Sequence, residues 1–247
     1  MGLFDRLTAK FSPKKSNIGN TQPVCPYCGH QLEKMPGRKK RCPGCDQHML
    51  VRTRPRDRKK ILIREDQAIL IEEQWSIANG THDQFLAARR EYEAERNRLQ
   101  KQLGREPTAS EIEWAKLTKE LGVHAKQYQW GLYRNARLSM GDILKKDKKY
   151  KDALDVYLEV CYLDLNGPNN CGSTDAQMLR EFPPFNPKDG FLAPGVLGYV
   201  DNLLHRQKLS KNDIKVRFLA ISANVQNSLG LPVAPEKAWR KLSKELN

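Results

Sequence analysis

Apolar residues recur along most of this chain at helical spacing. Ile61, Ile63, Ile69, Leu70, Ile71, Trp75 and Ile77 form one stripe, closed by Asn79-Gly80, and predict a first helix. Thr81-His82-Asp83-Gln84 reads as a capping box that opens a helix over Phe85–Leu103. Its EYEAERNRLQKQ portion is polar nearly all round, which suits an exposed or bridging helix. Thr108-Ala109-Ser110-Glu111 is a second box, followed by Ile112, Trp114, Ala115, Leu117 and Leu121. Residues 166–195 are rich in Asn, Gly and Pro and predict a long irregular loop, with Phe182, Phe185, Phe191 and Leu192 lying over the core. Three amphipathic helices then fill 196–247. The second follows Ser210 as N-cap, and the last starts at Pro235-Glu236.

The first sixty residues read differently. Leu3, Phe4, Leu7 and Phe11 predict a short amphipathic helix over 1–12, joined by a linker to residue 22. It could dock on the protein, on a partner or on a membrane surface. Arg6 stands where the myristoylation pattern needs Ser or Thr. Beyond the linker come Cys25-Pro-Tyr-Cys28-Gly and Cys42-Pro-Gly-Cys45. Two intervening residues let a tight turn aim both sulfurs one way, and Pro36-Gly37 lets the chain reverse between the pairs. Gly29 and Gly44 are expected to supply positive φ where the backbone curls. Two such pairs imply one structural Zn²⁺ held by Cys25, Cys28, Cys42 and Cys45. His30 and His48 flank a shell that four sulfurs already fill. Cys161 reads as a buried thiol in an apolar helix, and Cys171 lies far from both pairs.

Residues 25–45 resemble a zinc ribbon of the CPxCG…CPxC type, a family that binds DNA, RNA or protein. The resemblance implies a small three-stranded unit stapled by metal, with His48–Thr53 as its third strand. Residues 134–165 resemble one tetratricopeptide (TPR) helical hairpin. Gly141 and Ala153 are small where the helices meet, and Tyr150 and Tyr157 fill the space around them. Residues 117–130 are similar to a DNA-binding helix-turn-helix, its turn at Leu121-Gly122-Val123 and its recognition positions at His124, Lys126, Gln127 and Gln129.

Charge changes the picture most. Residues 1–60 hold fifteen Lys or Arg against four Asp or Glu, a net +11 within a total of +14. The excess therefore belongs to the ribbon and its flanks. Arg38, Lys39, Lys40, Arg41, Arg52, Arg54, Arg56 and Arg58 are the candidate phosphate contacts. Aromatic residues are not interleaved with them apart from Tyr27, so phosphate contact is expected to dominate over base stacking. No apolar run approaches the length of a transmembrane helix. Free thiols beside a zinc site fit a reducing compartment, so a cytoplasmic location is expected. No phosphate loop, H-E-x-x-H or G-x-S-x-G motif occurs, no small-molecule substrate suggests itself, and a non-enzyme is expected.

The chain thus reads as mostly α: residues 1–22 as helix and linker, 23–60 as a basic zinc ribbon, and 61–247 as an all-α domain with a TPR-like hairpin. The leading functional expectation is nucleic-acid binding by the ribbon, with a protein partner recruited by the helical domain. A protein-interaction adaptor or assembly factor without nucleic acid is the alternative, and a helix-turn-helix transcription regulator is a third reading.

Overall fold

The computed structural model describes residues 18–246, so the expected helix at 1–12 lies outside the described residues. The chain forms two compact units that divide between Tyr92 and Glu93.

The first unit is built on a three-stranded antiparallel sheet in the order β1 (Lys40–Arg41), β2 (His48–Thr53), β3 (Lys60–Ile63). Leu50 pairs with Ile63 and Arg52 with Ile61. Because strand side chains alternate, β2 sends Met49 and Val51 to one face and Leu50 to the other. Met49 and Leu62 pack with Cys25, Leu32 and Cys42. On the opposite face Ile61 and Ile63 pack with Leu50, Ile18, Ile71 and Trp75. Two sequence expectations are corrected here. Ile61 and Ile63 belong to a strand, since the run Lys-Ile-Leu-Ile is buried on both faces and carries no alternation to mark it. His48–Thr53 is the central strand and not the last, and the sheet extends past residue 60. Asn20 closes the outer edge of β3 through paired amide bonds with Leu62, 2.9 and 2.8 Å. Gly19 just before it has φ +81°, and a Cβ there would strike Ile63 at 2.7 Å.

A 3₁₀ turn at Glu65–Gln67 leads into α1 (Ala68–Ala78). Helix α2 (His82–Leu103) starts before the expected Phe85. The Thr81 hydroxyl donates to the Ser76 carbonyl instead of capping α2.

In the second unit, α3 (Ala109–Lys126) begins with the predicted Thr108–Glu111 capping box. It runs unbroken through Gly122, so the turn of a helix-turn-helix at 121–123 does not exist. A lone glycine costs a helix about 1 kcal/mol, which its packed face absorbs. Helices α4 (Trp130–Lys146) and α5 (Tyr150–Asn166) form an antiparallel hairpin. They are followed by α6 (Ala176–Glu181), α7 (Pro194–Gln207), α8 (Lys211–Leu229) and α9 (Pro235–Glu245). The short α6 interrupts the expected loop. The Ser210–Asp213 capping box and the first-turn Pro235 form as predicted.

Helix α5 is the axis of this unit. From Val156 to Asn166 only Glu159 is not fully buried, and α4, α7, α8 and α9 all pack against it. Its polar groups are paired. Arg134 grips Asp164 bidentately at 2.6 and 2.8 Å, with Asp164 buried and Arg134 partly so. Asn166 accepts the Val233 amide at 2.8 Å, and the Tyr162 hydroxyl donates to the Val233 carbonyl. The segment after α5 folds back on that end. Asn169 donates to Pro184, and Asn186 to Gly167. Phe185 and Leu192 pack on the core as expected, whereas Phe182 and Phe191 point to solvent.

The α4–α5 contact is close. A Cβ on Gly141 would lie 2.7 Å from the Tyr157 ring, whose hydroxyl donates to Asp142 at 2.6 Å. Gly141→Val is therefore expected to destabilise the helical unit by about 1–3 kcal/mol through overpacking. Urea unfolding followed by far-UV circular dichroism reads the loss as a lowered midpoint with little change of slope.

Candidate metal centre

The two cysteine pairs sit on turns of the same construction. The Cys25 amide donates to the His30 carbonyl at 2.9 Å, and the Gly29 amide to the Cys25 carbonyl at 3.0 Å. The Cys42 amide donates to Gln47, and Asp46 to Cys42, each at 2.9 Å. The fifth residue of each turn has positive φ, +76° at Gly29 and +57° at Asp46. Gly44 does not carry the positive φ expected of it. It is small because a Cβ would press the His30 ring at 3.1 Å. His30 thus packs against the second turn and is no part of the sulfur cluster.

All four sulfurs lie within 4.8 Å of one another. Cys25 and Cys45 are 3.8 Å apart, and Cys28 and Cys42 are 3.7 Å apart. A tetrahedron with metal–sulfur bonds of about 2.3 Å has edges of about 3.8 Å. A disulfide would need about 2.05 Å, and all six cysteines of the chain are free. Amides of Tyr27 and Gly44 donate to Cys25 Sγ and Cys42 Sγ at 3.4 Å, as suits thiolates. Cys25 and Cys42 are 2% and 1% exposed, while Cys28 is open to solvent, so the four sulfurs form a candidate metal site near the surface. Burial alone would push the Cys42 thiol up, yet the amides of Gly44 and Cys45 bring it down to about 7. Cys161 and Cys171 take no part. Burial in α5 drives the Cys161 thiol far up, which makes it an inert core residue.

A third turn repeats the construction without sulfur. The Arg54 amide donates to Lys59 and the Arg58 amide to Arg54, both at 2.9 Å, and Arg58 has φ +56°. Arg54-Pro55-Arg56-Asp57 therefore overlays the C-P-x-C pattern, with Arg54 and Asp57 at the two ligand positions. Their side chains close the turn by a bidentate ion pair, 3.1 and 2.6 Å. This relation was readable as a repeated X-Pro-x-X spacing, but a search for ligands by residue type passes over it.

The basic residues separate into two sets. Arg54 is 8% exposed and spent on Asp57 and the Ile18 carbonyl, so it is withdrawn from the expected interface. Lys39 pairs with Glu65 at 2.5 Å and Arg41 with Asp46 at 3.2 Å. Arg58 lies 4.5 Å over the Trp75 ring. Arg38, Lys40, Arg52, Lys59 and Lys60 are exposed and have no carboxylate within ion-pair distance among the described residues. Arg56 is exposed beside them.

Asp57 is held down at about 2, first by its hydrogen bonds from Arg54. A carboxyl depressed in the folded state stabilises above its ordinary value near 3.9, and that contribution is lost as pH falls towards 2. Asp57→Asn should accordingly lower the stability of the first unit at neutral pH. The gap to the parent protein should shrink between pH 4 and 2, as measured by chemical denaturation across that range.

Comparison of the chain with protein-family models, with curated proteins and with solved structures gives no match.

Proposed function

We propose that this chain is a non-catalytic zinc protein whose ribbon binds the phosphates of a nucleic acid and whose helical unit engages a protein partner. Four sulfurs at tetrahedral spacing, with no histidine or carboxylate joining them among the described residues, suit Zn²⁺ in a closed structural site. The metal would fix the first two turns and so set β1 and its cations in place. The observation that carries the phosphate reading is the set of exposed, carboxylate-free cations on and beside the sheet: Arg38, Lys40, Arg52, Lys59 and Lys60. Amino-acid side chains of this kind meet phosphates without reading base sequence.

Native mass spectrometry of the reduced protein should find one zinc per chain. Cys42→Ser should abolish it and unfold the ribbon, while the helical circular dichroism persists. A protein that carries no metal, or another one, would contradict the reading. Fluorescence anisotropy with labelled DNA and RNA over a salt series tests the second half. The log of the affinity should fall linearly with log salt, by about 0.9 per duplex phosphate neutralised. Replacing Arg38, Lys40 and Arg52 together by Ser should flatten that slope, and an unchanged slope would refute ribbon contact.

A further inference from the structure

Helix α9 carries a second cationic surface that the ribbon does not explain. Lys237, Arg240, Lys241 and Lys244 are spaced i, i+3, i+4 and i+7, so they share one face. All four are exposed, and none has a carboxylate within ion-pair distance among the described residues. The opposite face is buried through Ala238, Trp239 and Leu242. Beside this stripe lies an open cavity of about 300 Å³, lined by Leu165, Gly190, Phe191 and Leu192 on one side and by Lys241, Lys244 and Glu245 on the other.

Phe191 is the telling residue. The residue is 68% exposed, the highest of the large apolar residues among those described. Its backbone, by contrast, is anchored. The Phe191 amide donates to the Asp164 carbonyl at 3.1 Å, and Asp164 is itself held by Arg134. Gly190 is pressed against α5, where a Cβ would meet the Leu165 carbonyl at 2.6 Å. The fold thus anchors the backbone at Gly190 and Phe191 on α5 while the Phe191 side chain is left exposed next to two lysines.

We propose that Phe191 and the α9 stripe form a binding surface for single-stranded nucleic acid. The exposed ring would stack on an unpaired base, and Lys237, Arg240, Lys241 and Lys244 would follow the phosphates on either side. Aromatic stacking flanked by cations is how proteins hold unpaired strands without reading sequence, and every base offers a face to stack. A duplex hides its base faces, so it gains nothing from Phe191. An acidic peptide would use the cations but has no requirement for a flat exposed ring. This inference rests on the reading that the chain binds nucleic acid, and it assigns the strand state to a surface on the helical unit.

The test uses the full zinc-loaded chain, a labelled oligouridylate and a labelled duplex of equal length, in anisotropy titrations over a salt series. Phe191→Ala should weaken oligouridylate binding by about 5-fold or more and leave duplex binding unchanged. Replacing Lys237, Arg240, Lys241 and Lys244 by Gln should reduce the oligouridylate salt slope by about 2 to 3, at about 0.7 per phosphate. Circular dichroism checks that both variants keep their helices. If both bind like the parent while the Arg38, Lys40 and Arg52 Ser variant loses affinity, the helical surface is refuted and the ribbon reading survives. If the parent binds neither oligonucleotide, both fall. Preference for polyglutamate over oligouridylate would also overturn the assignment, in favour of an acidic protein partner.

Discussion

Four sulfurs held within 4.8 Å of one another cannot all be thiolates unless a cation sits among them. How that requirement is met shapes the two cysteine turns and the face of the sheet that packs on them. The knuckle turn donates an amide to the sulfur and curls through a residue of positive φ, so the backbone itself places the ligands. Met49 and Leu62 then seal one side of the cluster, and the same two residues belong to the sheet. The cysteine turns and the sheet therefore share a core.

The third turn gives this economy a different end. Arg54 and Asp57 take the ligand positions and satisfy each other, so the turn closes without metal. An ion pair largely shielded from water holds geometry only when both partners are fully hydrogen-bonded, and here the Lys59 amide and the Ile18 carbonyl complete the set. One backbone device thus serves two chemistries. All three turns share the same backbone bonds, but the side chains at the ligand positions of the turn before β3 are an ion pair, whereas those of the turns around β1 are sulfurs.

How much of this was legible depended on whether a residue's identity is itself the chemistry. The four cysteines were plain, because no other residue type makes that site. The capping boxes at Thr108 and Ser210 were plain, because their hydrogen bonds are local. The box at Thr81 failed, because the hydroxyl found the Ser76 carbonyl at the end of the preceding helix. Strand β3 was hidden because a strand buried on both faces loses its alternation. Gly122 misled in the opposite way, suggesting a turn where a packed helix simply tolerates it. Arg54 was counted as an interface cation because sequence shows charge but not its partner. Phe191 was assigned to the core because apolar residues usually go there, and only its anchored backbone reveals that the fold turns it outward.

That last point bears on the charge of the whole chain. In the helical unit most arginines are consumed by carboxylates: Arg96, Arg98, Arg105, Arg134, Arg137 and Arg217 each pair with Asp or Glu. Among the described residues, Lys119 is the one lysine of this unit within ion-pair distance of a carboxylate. The division has a physical cause, since the planar guanidinium matches a carboxylate bidentately and loses less on burial than an ammonium. Near-neutral composition therefore conceals where charge is left unpaired, because the pairing falls on the arginines and leaves most lysines out. A net charge of only +3 over residues 61–247 said nothing of this. What decides a partner is the charge left over after pairing, and on α9 the unpaired cations lie along one face, with the exposed carboxylates of Glu236 and Glu245 at the two ends of the helix.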